Sequence, residues 1–91
     1  MKYNITFALS SEKILKKWKK SNPNLYKKCQ AIIHELAEHP RTGTGHPEPL
    51  TGGNEITWSR RLSAHDRIIY DIYEDVITVL VLEVGGHYKD K

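Results

Sequence analysis

The chain is poor in several things that would place it in a known class. It holds one cysteine, Cys29, among its 91 residues. A single thiol excludes an internal disulfide framework and suits a reducing compartment. No apolar stretch approaches the roughly 20 residues that a membrane-crossing helix needs. The first segment, MKYNITFALS, alternates apolar with polar side chains, whereas a signal peptide needs an unbroken apolar run. The reading is therefore a cytoplasmic protein with no membrane attachment. Of the five histidines, His34 and His39 straddle a helix end and lack the i, i+4 spacing of a metal pair. No metal and no cofactor is expected. The GTG at Gly43–Gly45 lacks the preceding strand, the following helix and the Lys-Ser/Thr of a phosphate loop. Repeats and low-complexity segments are absent too.

What remains is one small domain over residues 1–91. A chain of this length buries only about 60–65% of the surface its unfolded form would expose. Fourteen Lys+Arg stand against eleven Asp+Glu, a net charge of +3, with a pI near 9.0. That excess permits a polyanionic partner such as nucleic acid without proving one.

Tyr3, Ile5, Phe7 and Leu9 alternate with polar or small residues, the period of a strand with one covered face. Ser10 and Ser11 then offer a helix N-cap, with Glu12 in the first turn. Ile14, Leu15 and Trp18 fall on one side of the short helix that follows. In the next segment Asn22 is the cap and Pro23 suits the first helical position. Leu25, Tyr26, Cys29, Ile32, Ile33, Leu36 and Ala37 form one apolar stripe, and Pro40 ends the helix. The short join predicts a helical hairpin. From His39 to Glu55 no periodicity survives, which marks a long loop. Loops of this length in compact domains are usually functional or disordered. Three strands follow, in ITWSRRLS, DRIIYDIYE and VITVLVLEV, broken at Ala64-His65 and Glu74-Asp75. The last is almost wholly apolar and reads as the central strand. The expected architecture is β-α-α-β-β-β, an α+β fold with a two-helix hairpin on one face of an antiparallel-rich sheet.

Strand parity places the charges. Ile56, Trp58 and Leu62 mark the inner side of their strand, so Ser59, Arg61 and Ser63 point outward. Ile68, Tyr70 and Ile72 face the helices, which leaves Arg67, Ile69, Asp71 and Tyr73 on the open face. Arg61 and Arg67 then share one side of the sheet and make a compact anion site. Glu48 stands between Pro47 and Pro49 in HPEPL, on backbone too rigid for helix or inner strand. His87 follows the Gly85-Gly86 break, and an imidazole titrates near neutrality. A carboxylate, a guanidinium and an imidazole suit RNA transesterification: a base for the 2′-OH, a cation for the phosphorane, an acid for the departing 5′ oxygen.

The wording of these segments is more specific than their spacing. GTGHPEPL, then WSRRLSAHDRIIY, then GGHY resemble the YoeB/Txe toxins of the RelE/ParE superfamily, over nearly the whole chain. The resemblance implies a RelE-like, microbial-ribonuclease-like fold. It also implies a bacterial type II toxin that cleaves mRNA on the ribosome without a metal. Carried onto this chain, Glu48 is the general base, His87 the general acid, Arg67 the ligand of the scissile phosphate and Tyr88 a residue that shapes the site. Arg61 and its neighbour Arg60 hold RNA, as do Lys16 and Lys20 in the lysine-rich hairpin. The implied partners are a cognate antitoxin of Phd/YefM type, the ribosome with its mRNA, and a second copy of the chain. Thr51 stands where the family commonly has Lys, and Lys89-Asp90-Lys91 extend past the usual closing His-Tyr. The alternative is a non-catalytic ParE-like toxin, or an RNA- or partner-binding domain, on the same scaffold.

Overall fold

The computed structural model describes residues 2–50 and 56–86. The elements are β1 (Asn4–Phe7), α1 (Leu9–Ser21), α2 (Pro23–Glu38), β2 (Glu48–Pro49), β3 (Thr57–Arg61), β4 (Arg67–Tyr73) and β5 (Thr78–Gly85). The strands make one five-stranded sheet in the order β1-β5-β4-β3-β2. β1 runs parallel to β5 and the other pairs are antiparallel. The α+β fold and its helical pair agree with the sequence reading, and one strand is added to it.

Alternation seats β1: Tyr3, Ile5 and Phe7 pack on the core while Asn4 and Thr6 are exposed. The helices bring Leu15, Cys29, Ile32 and Leu36 down onto Ile68, Tyr70, Val79 and Val81. α2 begins as its sequence dictates, with Asn22 accepting from the Leu25 N–H and Pro23 in the first turn. α1 does not. Its N-cap is Ala8, with no side-chain cap. Ser11 is wholly buried, and its hydroxyl donates to the Ala8 carbonyl at 2.8 Å and lies 3.1 Å from that of Val81. The serine thus fastens α1 to β5 rather than starting the helix.

Two further expectations are corrected. The middle of the sheet is β4, not β5, because β2 adds outside β3 and leaves two strands on either side of β4. β4 carries Ile68, Ile69, Tyr70 and Ile72 at 2% exposure or less, while Leu80 and Leu82 of β5 stay half-open. The stretch after α2 is not all loop either. Glu48 and Pro49 pair with Ser59 and Trp58 as an edge strand. An edge position tolerates a proline, whose missing N–H would break an inner ladder.

Arg60 is the larger correction. The sequence reading gave it to RNA, but its side chain has 0% exposure. Pleat parity explains this, since Arg60 lies between Trp58 and Leu62 on the inner side of β3. All five guanidinium donors are matched with acceptors. Nε donates to the Tyr70 hydroxyl at 3.2 Å. Nη1 donates to Glu35 Oε1 at 2.7 Å and to the Thr44 carbonyl at 3.4 Å. Nη2 donates to the carbonyls of His39 and Thr42, the latter at 2.7 Å. The Tyr70 hydroxyl donates a hydrogen bond to the Pro40 carbonyl at 2.8 Å. Glu35 in turn accepts from the Thr44 N–H at 2.9 Å and the Thr44 hydroxyl at 2.7 Å. The backbone from His39 to Thr44, which has no regular partner, is thus satisfied from inside the core.

Three outcomes follow from this packing. Burial pushes the Cys29 thiol up to about 12. The native protein should therefore resist a thiol-reactive dye at pH 8 and label only in denaturant, whereas rapid native labelling would contradict the burial. Arg60→Ala strands a tyrosine hydroxyl and three carbonyls and should cost about 3 kcal/mol or more in urea unfolding. Hydrogen bonds from Thr44, then Arg60, hold the Glu35 carboxyl below its ordinary 4.5. A depressed folded value means that its stabilisation is complete above pH 4.5 and fades as pH falls through the folded value. Glu35→Gln should flatten the acid limb of stability against pH, and an unchanged slope would remove this role.

Candidate active site

β3 sets the geometry of the site. Its outward residues are Thr57, Ser59 and Arg61, the complement of the inward Trp58, Arg60 and Leu62. Register then brings partners from both sides. Glu48 lies opposite Ser59, and Arg61 lies opposite Arg67. Arg67 lies opposite Gly85, the last residue of β5. With strands about 4.8 Å apart and a rise of about 3.4 Å per residue, the Glu48 and Arg67 Cα atoms stand on the order of 12 Å apart across the face. Their side chains close most of that span. Gly45, His46, Glu48, Ser59, Arg61 and Arg67 line one recess of about 350 Å³.

The strand that carries Glu48 is tied down on both sides of it. The Arg61 N–H donates to the Gly45 carbonyl at 2.7 Å, and the Leu50 N–H donates to the Thr57 carbonyl at 3.0 Å. Gly45 has φ +89, and a Cβ there would stand 2.6 Å from the Arg61 carbonyl oxygen, so no side chain fits. His46 also has positive φ, at 52, a region histidine enters more readily than most residues. Pro47 and Pro49 fix their own φ on either side of the carboxylate. Glu48 is itself exposed. Rigid backbone thus presents a solvent-facing acid toward two guanidinium groups.

The electrostatics of the recess are unusual for a folded surface. Arg61 and Arg67 face each other as direct cross-strand partners, and such like charges repel. The ion pairs among the described residues are Lys2–Glu38, Arg41–Glu74 and Arg60–Glu35, so neither recess arginine is neutralised there. An anion seated between the two converts the repulsion into attraction, and each guanidinium fork can grip it with paired N–H groups. Among the described residues no group of three or more His, Cys, Asp or Glu is placed to hold a metal ion. No helix among the described residues is long and apolar enough to cross a membrane.

Of the residues singled out from sequence, the structure gathers Glu48, Arg61 and Arg67 in one recess. It sends Arg60 into the core. Lys16 and Lys20 are exposed on α1 and line no part of the recess. Lys16 borders a separate groove with Phe7, Leu9 and Tyr26. Lys20 is in the last turn of α1, where a cation favours the helix dipole. His87 and Tyr88 lie outside the described residues, as do Thr51 and the Lys89-Asp90-Lys91 extension. His46 was missed as a wall of the recess. Its place two residues before Glu48, in a segment bracketed by glycine and proline, was the available signal.

Comparison with known proteins agrees with this picture. The family described as the YoeB-like toxin of bacterial type II toxin-antitoxin system matches residues 7–88. A toxin YoeB of Streptomyces coelicolor is 30% identical over 84 residues, covering 92% of this chain and 98% of the relative. The solved YoeB/ParE toxin from Agrobacterium tumefaciens superposes with a TM-score of 0.85 at 28% identity, covering 93% of this chain and 99% of its own. The YoeB-YefM complex from Staphylococcus aureus contains a chain of the same fold, with a TM-score of 0.80 at 22% identity, covering 97% of this chain and all of that one. This chain belongs to the YoeB-like toxins of bacterial type II toxin–antitoxin systems.

Proposed function

We propose that this toxin is an endoribonuclease that cleaves mRNA on the ribosome and so stops translation. The observation that carries the proposal is the facing pair Arg61 and Arg67, unneutralised among the described residues, across one recess from a braced carboxylate. A phosphodiester has the charge for the two cations, and its ribose has the hydroxyl for the acid.

The chemistry needs two proton transfers around one phosphorus. The Glu48 carboxylate takes the proton from a ribose 2′-OH, and the 2′ oxygen attacks the adjacent phosphorus. Arg67 stabilises the charge that builds on the phosphoryl oxygens, and Arg61 holds the same strand of RNA. The P–O5′ bond breaks as His87 gives a proton to the departing 5′ oxygen, with Tyr88 beside it. The products are a 2′,3′-cyclic phosphate and a 5′-hydroxyl end. The braced backbone lowers the entropy lost on aligning the base. A toxin that acts on ribosomes would act in the cytoplasm.

The partner we infer is an antitoxin of the Phd/YefM type, as in the YoeB-YefM complex of Staphylococcus aureus, and a homodimer is the further assembly. A basic toxin of this size suits an acidic segment that folds on binding. The rival reading is a non-catalytic ParE-like toxin, or an RNA- or partner-binding domain, on the same scaffold.

The test is primer extension on mRNA translated by purified ribosomes. New 5′-hydroxyl ends should appear only when ribosome and toxin are both present. Glu48→Ala, Arg67→Ala and His87→Ala should each slow their appearance by about 10² or more while leaving the unfolding midpoint near wild type. Cleavage at the wild-type rate by all three would remove the assignment, and ribosome binding without any cut would favour the rival.

A further inference from the structure

The recess of Glu48 shares a corner of the sheet with a second hollow of about 500 Å³, formed where α1 passes the end of β5. Asp66 lines the second hollow and the next residue, Arg67, lines the first. Gly85, the register partner of Arg67, also lines the second. The hollow opens at the sheet edge next to the Arg67–Gly85 pair, and a strand of RNA lying on Arg67 reaches it by passing round that edge.

We propose that this second hollow is a subsite for a nucleotide adjacent to the cleaved link. The inference rests on the nuclease reading and adds to it where the substrate runs. Lys13 and Lys17 stand one turn apart on α1, both exposed. Trp18, only partly buried, gives the same wall an indole. Asp66 and Glu83 come from the sheet side. Gly85 has φ +126, and a Cβ there would meet no atom of the described residues within 4 Å. The volume falls within the range of roughly 300–1,000 Å³ typical of small-molecule pockets.

The charges explain why a nucleotide suits this hollow better than a simple anion. Two cations are balanced by two carboxylates, so a bare phosphate gains little. A nucleotide is divided in the same way. Its phosphate meets Lys13 and Lys17, its ring face stacks on Trp18, and the N–H donors on its base edge meet carboxylate acceptors. The Asp66 carboxylate already accepts from the Ser63 hydroxyl at 2.9 Å, which leaves Glu83 as the freer acceptor.

The experiment titrates the full-length toxin with a hexaribonucleotide made uncleavable by 2′-O-methyl groups, reading tryptophan emission and the anisotropy of end-labelled RNA. Saturable quenching is expected, and Trp18→Phe should abolish most of it and weaken binding about 5-fold or more. Lys13→Ala with Lys17→Ala should weaken binding and lower the slope of log affinity against log salt by about 0.7, the contribution of the one single-strand phosphate the two lysines share. Unchanged affinity and slope in the double variant would overturn the subsite. So would equal quenching by polyglutamate, which would point to an acidic peptide instead. Cleavage on ribosomes, scored separately with wild type, tells the two failures apart. Cleavage with no Trp18 response overturns the subsite alone, whereas a Trp18 response without cleavage overturns the nuclease reading and leaves an RNA site.

Discussion

One buried guanidinium holds the functional half of this small protein together. Arg60 spans the C-terminal end of α2, the segment after it and the core tyrosine of β4, using all five of its donors. A hydrophobic residue of similar length could fill the space, but it would leave three main-chain carbonyls without a donor. Apolar packing cannot order a segment that has few apolar side chains. Residues His39 to Gly45 have little of it to bury, so hydrogen bonding to a charged group supplies the order. The fork geometry of arginine matters here, because a lysine ammonium cannot reach acceptors on so many sides at once. Glu35 completes the device by neutralising Arg60 and fastening Thr44. The strand carrying Glu48 begins only a few residues later.

The parts of the fold legible in the sequence are those where a single physical signal dominates. Alternation from Tyr3 to Phe7, the Asn22-Pro23 start of α2 and the outward parity of Arg61 and Arg67 all read correctly, since each is local, whereas Leu9, expected to continue β1, opens α1 and is exposed. Parity was also sufficient to place Arg60 inward, between Trp58 and Leu62. The resemblance instead gave it to RNA beside Arg61, on the surface where a charged residue ordinarily stays. Only Glu35 reverses that expectation, and its distance of 25 positions along the chain hides the pairing. The remaining misses share this non-local cause. Ser11 is taken from its capping role by Val81, and the sheet's middle shifts to β4 because β2 adds beyond β3. β2 was invisible because two residues have no period.

The recess follows the same division. Glu48, Arg61 and Arg67 were found from parity and from an unusual run of proline and glycine, and the structure gathers them. His46 and the hollow beside α1 were not found. Both depend on where elements pass one another in space, and composition is silent on that. The lysines show the limit of counting charge. Lys17 lines the hollow, Lys16 borders the groove on another flank of the same helix, and Lys13 between them reaches both. Helical rotation of about 100° per residue, not the number of lysines, decides which of them share a surface.

Arg60 and Arg61 bring these strands together. They are the same residue type, adjacent in sequence, and they do opposite things. One is fully covered and neutralised, and the other is exposed and has no ion-pair partner among the described residues. The pleat alone separates them. A slip of one residue in β3 would turn Arg60 out to the recess and Arg61 into the core, with Trp58 and Leu62 turned outward as well. The cost of exposing those two apolar side chains pins the register. The sheet takes up its irregularity elsewhere, in the shift between β4 and β5 beside Ile69 and Tyr70. β3 stays regular from Thr57 to Arg61. The same register therefore anchors Glu48's segment from within and sets the paired cations opposite it from without.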